Sequence, residues 1–228
     1  MTFSKLNISA FLAILFHVSG VIGILFSPYS NWFIQNTPLN LLLMAGLLIW
    51  NQEKINKGFL VFTALCFITG MVTEMIGVNT GLLFGNYTYG TVMGIKWLGV
   101  PVLIGINWFV VVFCCLVLME KLHQWVKDKY TADGLPAPPI RLETISVIAD
   151  GAIMATCFDW LMEPVAVKLG FWQWHSETIP SLNYACWFLI SCGLIAVSRK
   201  LDFSKTNTFA VHLLVIQTLF FLTLSIFL

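Results

Sequence analysis

Asp159 and Glu163 stand four residues apart inside an apolar run, TCFDWLMEPVAV. Four residues is about one helical turn, so both carboxyls fall on one helix face. Glu74 and Asp150 also lie within apolar stretches. A charged residue at the centre of a membrane-spanning helix costs roughly 2.5–3.5 kcal/mol on insertion scales, so these acids need a reason to be there. A carboxyl set among apolar groups and other carboxyls favours its neutral, protonated form. That is the form a general acid needs before it gives up a proton. The competing reading is that the acids hydrogen-bond helices together, or meet water at headgroup level.

Aromatic residues crowd the chain around these acids. Tyr87 and Tyr89 follow Glu74, and Trp172 and Trp174 follow Glu163. They fit a lid over the acids, or a belt at the membrane interface. Asn107 and Asn183 stand near span ends and are candidates to hydrogen-bond an acid or a water. Pro164, directly after Glu163, opens room in its helix. Several other chemistries find no residues. Four histidines occur, none in H-x-x-H or H-x-x-x-H spacing, and the six cysteines form no C-x-x-C pair. The cysteines read as small apolar packing residues, and no metal or cofactor is expected. No G-x-S-x-G elbow and no phosphate-cradling glycine loop is present. The last apolar stretch has no lysine to carry a retinal Schiff base.

The elements that must position these residues follow from composition. Of 228 residues, 58% are hydrophobic and 10% charged, with mean hydropathy +0.86. A soluble domain carries about 25% charged residues. The chain reads as one polytopic membrane domain over 1–228, and the bilayer is its first partner. A net charge of +1 offers no field for nucleic acid. A spanning helix needs about 20 mostly apolar residues, and seven stretches qualify: 7–26, 33–50, 59–78, 98–119, 144–169, 184–198 and 208–228. The second is short and starts near Pro38. Segment 79–97 reads as a loop, partly re-entrant, and Pro101 falls in the first turn of span four. The run LPAPP at 135–139 cannot be helical. The first stretch reads as a retained span, not a cleaved signal.

Seven spans put Lys5, Lys54, Lys57, Lys121, Lys127, Lys129, Arg141, Arg199, Lys200 and Lys205 on the side of the N-terminus. Only Lys96 and Lys168 fall on the other side. Basic loops stay cytoplasmic, so the N-terminus is expected in the cytoplasm and the C-terminus outside, in a bacterial or archaeal cell membrane. On this topology Glu74, Asp159 and Glu163 share the outer half of the bundle. Spans three and four also echo spans five and six. Each pair has an acid, then an aromatic-x-aromatic loop, then a proline followed seven residues later by tryptophan: Pro101 and Trp108, Pro180 and Trp187. Both units run in the same direction, so the expected fold is all-α with a parallel repeat.

The runs GVNTGLLFGNYTYG, WLGVPVLIGINW, FDWLMEPVAVKLGFWQW and IPSLNYACW resemble the membrane carotenoid-biosynthesis proteins of the carotenoid 1,2-hydratase (CruF-like) type, relatives of the small membrane lycopene cyclases. The resemblance covers about half the chain, from Glu74 to Trp187. In IPSLNY the sequence departs from the Gly-x-Pro-x-x-Asn more usual in the family. The resemblance implies addition of water to the terminal C1–C2 double bond of an acyclic carotenoid end. Protonation gives a tertiary carbocation and water captures it, with no cofactor. It makes Asp159 the expected proton donor, with Glu163 and Glu74 stabilising the cation and orienting water. Tyr87, Tyr89, Trp172, Trp174, Trp187 and Asn107 would bound the substrate site, and Asn183 would help hold the water. The carotenoid is the expected substrate, and other pathway enzymes are expected partners. Two alternatives share the scaffold. A cyclase would leave the pigment's mass unchanged where hydration adds one water. A non-catalytic carotenoid-binding protein would leave the pigment unaltered. Intramembrane acids alone would also fit a transporter.

Overall fold

Helices α1 (Lys5–Phe26), α2 (Ser30–Gln35), α3 (Thr37–Trp50), α4 (Lys57–Thr80), α5 (Leu103–Ala132), α6 (Ile140–Lys168), α7 (Ser181–Ser198) and α8 (Thr208–Phe227) make up most of the chain. The computed structural model describes residues 4–136 and 139–228, so Ala137 and Pro138 of the LPAPP run lie outside the described residues. Six of these helices, all but α2 and α3, are long and apolar enough to cross a membrane. Their outward faces carry Phe11, Leu60, Ile68, Ile153, Trp160, Leu189 and Leu219, all exposed. The acids lie inside. Apolar groups facing out and carboxyls facing in suit a hydrocarbon solvent.

At the starts of α1, α4 and α8 a polar cap satisfies one of the free backbone N–H groups. Ser4 Oγ accepts from Asn7 N at 3.2 Å, Asn56 Oδ1 from Phe59 N at 3.0 Å and Asn207 Oδ1 from Ala210 N at 3.2 Å. Helix α4 stops at Gly81, whose φ of +67° forms the left-handed C-cap that a glycine adopts without strain.

The expected second span is interrupted. It divides into α2 and α3 around Asn36, with Pro38 in the first turn of α3, where its missing N–H is harmless. At 1.5 Å per residue the 14 residues of α3 cover only about 21 Å, less than the ~30 Å of a hydrocarbon core. Its C-terminal end nevertheless returns to the start of α1, where Asn51 Nδ2 donates to Ser9 Oγ at 2.6 Å. The same end gathers the α3–α4 and α7–α8 turns. Gln52 donates to Ser204 O at 2.7 Å, Asn56 to Asp202 O at 2.8 Å, and Asn207 to Leu48 O at 2.9 Å. Arg199 pairs with Glu120 beside them.

The opposite end is closed by short strands. Strand β1 (Tyr87–Tyr89), after α4, pairs antiparallel with β4 (Trp172–Trp174), after α6. Strands β2 (Lys96–Trp97) and β3 (Val100–Pro101) form a hairpin beside them. Pro101 therefore sits in a strand, and α5 begins two residues later, not at residue 98. The 79–97 segment is a strand-bearing cap. Helix α5 is the central column, packed against α3, α4, α6, α7 and α8. It also runs past the apolar stretch to Ala132. That extension explains Asp150. It is no interior acid, because its side chain is 47% exposed and its Oδ2 lies 2.9 Å from His123 Nε2 on α5.

Candidate active site

Glu74 on α4 and Asp159 and Glu163 on α6 are 5%, 1% and 2% exposed. All three line one small cavity of about 20 Å³. Tyr87, Tyr89, Asn107, Trp172, Trp174, Asn183 and Trp187 line it with them, so the residues expected to form the site meet at this chamber, and Asp150 stays outside it.

Each glutamate is held by a cage of donors. Glu74 Oε2 accepts from the Tyr87 hydroxyl in a short bond and from the Tyr89 hydroxyl at 2.8 Å. Its Oε1 accepts from Trp108 Nε1 at 3.0 Å. Glu163 Oε2 accepts from Trp172 Nε1 and from Trp174 Nε1, both at 2.9 Å, and its Oε1 from Asn183 Nδ2 at 3.4 Å. Asp159 differs. Its Oδ2 accepts from Asn183 Nδ2 at 2.7 Å. Its Oδ1 takes no hydrogen bond from the protein among the described residues. Asn183, in the first turn of α7, thus bridges the two α6 carboxyls. Burial, and then the charge of Glu74, push the Tyr87 and Tyr89 phenols well above their ordinary value of 10.0. Both remain donors at any pH the protein meets.

The cage depends on the strand pair. Register sets Tyr87 opposite Trp174 and Tyr89 opposite Trp172, with ring centroids 5.0 and 5.9 Å apart. The loop after one acid is thereby locked to the loop after the other. Trp108 and Trp187 stack at 3.8 Å with planes 9° apart. Gly70, one turn before Glu74, makes this possible: a Cβ there would fall 2.5 Å from the Trp108 ring.

Reasoning from sequence missed four lining residues. Trp108 entered only as a repeat marker, and its bond to Glu74 was not foreseen. Ile104 and Met162 are apolar residues that no pattern separates from core. Phe84 holds φ +63°, strained for a residue with a side chain, and its N–H donates to Cys186 Sγ at 3.3 Å. The FG pair was the available signal. The histidines stay apart: His17 is buried and its Nδ1 donates to Ala13 O at 2.7 Å, while His212 is exposed. Among the described residues no group of His, Cys, Asp and Glu is arranged to hold a metal ion.

A second, larger cavity of about 560 Å³ adjoins the chamber. Ile104, Asn107, Met162 and Trp172 line both. The larger cavity lies among α1, α3, α6 and α8 and is mostly apolar, with Phe16, Phe33, Phe158, Phe220 and Phe221 in its wall.

Fold and site together define a helical membrane protein with a buried carboxyl chamber opening on an apolar cavity. The sequence profile described as "Carotenoid biosynthesis protein" matches residues 36–228. The chain belongs to that family. It is similar to a bisanhydrobacterioruberin hydratase of Haloarcula japonica, with 27% identity over 179 residues, which are 75% of this chain and 53% of that protein. The chain spans about half the length of this curated relative. No solved structure matches.

Proposed function

We propose that the protein is a carotenoid hydratase that adds water to the terminal C1–C2 double bond of an acyclic carotenoid end group, as in lycopene or γ-carotene. The observation that carries this reading is the difference among the three acids. Both oxygens of Glu74 and of Glu163 accept bonds from fixed donors. Asp159 alone keeps one oxygen free toward the chamber. A carboxyl oxygen without a donor can carry the acid proton. Carboxylates held as acceptors serve as fixed negative charge beside a developing cation.

In the proposed reaction, the Asp159 carboxyl transfers its proton to the less substituted alkene carbon. The π pair forms the new C–H bond, and the other carbon becomes a tertiary cation. Glu163, Glu74 and the faces of Trp172 and Trp187 stabilise it. A water oxygen attacks the cation, and the water's surplus proton returns to Asp159. The sum is alkene plus water to tertiary alcohol, with no other reactant. A chamber of about 20 Å³ suits this, because a water needs roughly 10–15 Å³ measured in the same way. The 560 Å³ cavity would take the end group and the start of the polyene. The name of the Haloarcula relative agrees with the reaction class.

We also propose seven crossings of a cell membrane, with α2 and α3 as a broken second span and the N-terminus cytoplasmic. The return of Asn51 to Ser9 supports the count, and ten basic residues against two support the orientation. A duplication of spans three and four as five and six is supported by the pairing of Tyr87 and Tyr89 with Trp174 and Trp172.

The test is expression in a host that accumulates lycopene. The wild type should yield pigment one water heavier. Asp159→Asn should lower that yield by about 10²–10⁴, the usual range for a positioned general acid. An Asn variant that hydrates at the wild-type rate removes Asp159 from the donor role. Altered pigment of unchanged mass would make the protein a cyclase.

A further inference from the structure

The side-chain amide of Asn107 stands where the two cavities meet. It makes no hydrogen bond within the protein among the described residues. Asn40 on α3 likewise has a buried Oδ1 without a partner, but it lines only the larger cavity and not the acid chamber. Asn51, Asn56, Asn79, Asn183 and Asn207 all donate to a backbone or side-chain oxygen. An amide kept for structure in an apolar bundle finds a partner, since leaving one unpaired there is costly. The other residues lining both cavities are Ile104, Met162 and Trp172. Trp172 has already given its N–H to Glu163. At this junction Asn107 is therefore the side chain with polar atoms still to offer.

We infer that Asn107 is a specificity-determining residue that holds the attacking water at the chamber mouth and so decides that the cation ends as an alcohol. The inference rests on the hydratase reading. A tertiary cation has two exits. Water oxygen can attack it, forming a C–O bond. Alternatively a C–H bond beside it breaks, its electron pair re-forms an alkene, and the proton returns to the Asp159 carboxylate. The two outcomes share the protonation step and differ only in whether a water oxygen is aligned with the empty orbital. Asn107 lies on the cavity side of the acids, where the end group must lie, and its amide can both donate to and accept from a water. Misplacing a reacting group by about 1 Å is enough to cost 100-fold.

The experiment uses the full chain in membranes, with lycopene, in D₂O. Both products are followed by mass. Wild type should give mainly alcohol. Asn107→Leu should lower alcohol by about 100-fold while the recovered, unhydrated pigment gains deuterium, because protonation and its reversal continue. Asn107→Ser, which keeps a hydroxyl, should restore part of the alcohol. Deuterium in the Leu variant's pigment also demonstrates a folded site, so loss of structure is not confused with loss of water alignment. The proposal is overturned if alcohol and deuterium fall together, as they should in Asp159→Asn, or if neither changes. If wild type gives neither alcohol nor deuterium, the hydratase reading itself fails.

Discussion

Three carboxyls within one chamber are distinguished by what donates to them. Glu74 draws on Tyr87, Tyr89 and Trp108, and Glu163 on Trp172, Trp174 and Asn183, while Asp159 has Asn183 alone. Removing one donor to a charged acceptor loses about 1.5–3 kcal/mol. Tyr89→Phe should therefore lower turnover by at least about tenfold, since 1.36 kcal/mol is a factor of ten. Burial and the Glu74 charge already hold the Tyr89 phenol far up its scale. Its ionisation thus lies above any alkaline limb of the wild-type rate profile. The limb should stay where it is in the Tyr89→Phe variant; a shifted limb would show that this phenol titrates during turnover. The acids themselves were legible in the sequence, because a carboxyl in an apolar run announces a cost that something must offset. Their ranking was not legible, because it depends on donors contributed by four separate segments. Asp150 had the same sequence signal as Asp159, and only the length of α5, which carries His123 across to it, separates them.

Among the elements, the strand pair β1–β4 matters most and was the least visible. Two three-residue segments carry no periodicity, and their pairing joins positions 87 and 174. The aromatic residues in them were legible; that they would face each other across a ladder was not. The register is reciprocal: the first aromatic of one loop meets the last of the other, the arrangement that the proposed duplication would give. Under that relation Gly70 corresponds to Asp159, each four residues before its glutamate, and Ile104 corresponds to Asn183, each four residues before its tryptophan. Of these two positions one carries an acid, and at the other the glycine leaves room for Trp108. Gly70→Ala should press on that ring, and overpacking of this kind costs about 1–3 kcal/mol. The expected result is a lower unfolding temperature in detergent and altered tryptophan emission as the Trp108–Trp187 stack opens. An unchanged emission spectrum would mean that the ring moves aside freely.

For the molecule as a whole, the apolar cavity among α1, α3, α6 and α8 adjoins the acid chamber through shared lining residues, and on the proposed function it is where the substrate enters. Ser19→Phe would place a ring in the larger cavity, and should raise the apparent KM about tenfold or more while leaving the chamber and the fold intact. Equal kinetics on a long carotenoid would mean that the substrate arrives by another route. The proposed seven crossings would place the two termini on opposite faces, so reporters fused to each should give opposite readings; like readings would leave six. Six of the seven stretches expected from hydropathy form long apolar helices. The start of the second span near Pro38 was also legible; the separate short helix α2 before it, packed on α1, was not. The small size of the acid chamber has a consequence for the cell. A file of hydrogen-bonded waters reaching from the outer surface to buried carboxyls would conduct protons and drain the gradient across the membrane. A space for about one water, roofed by the paired strands, interrupts such a wire. Under the proposed hydration, one water per turnover would then reach the acids while the bilayer around them stays electrically tight.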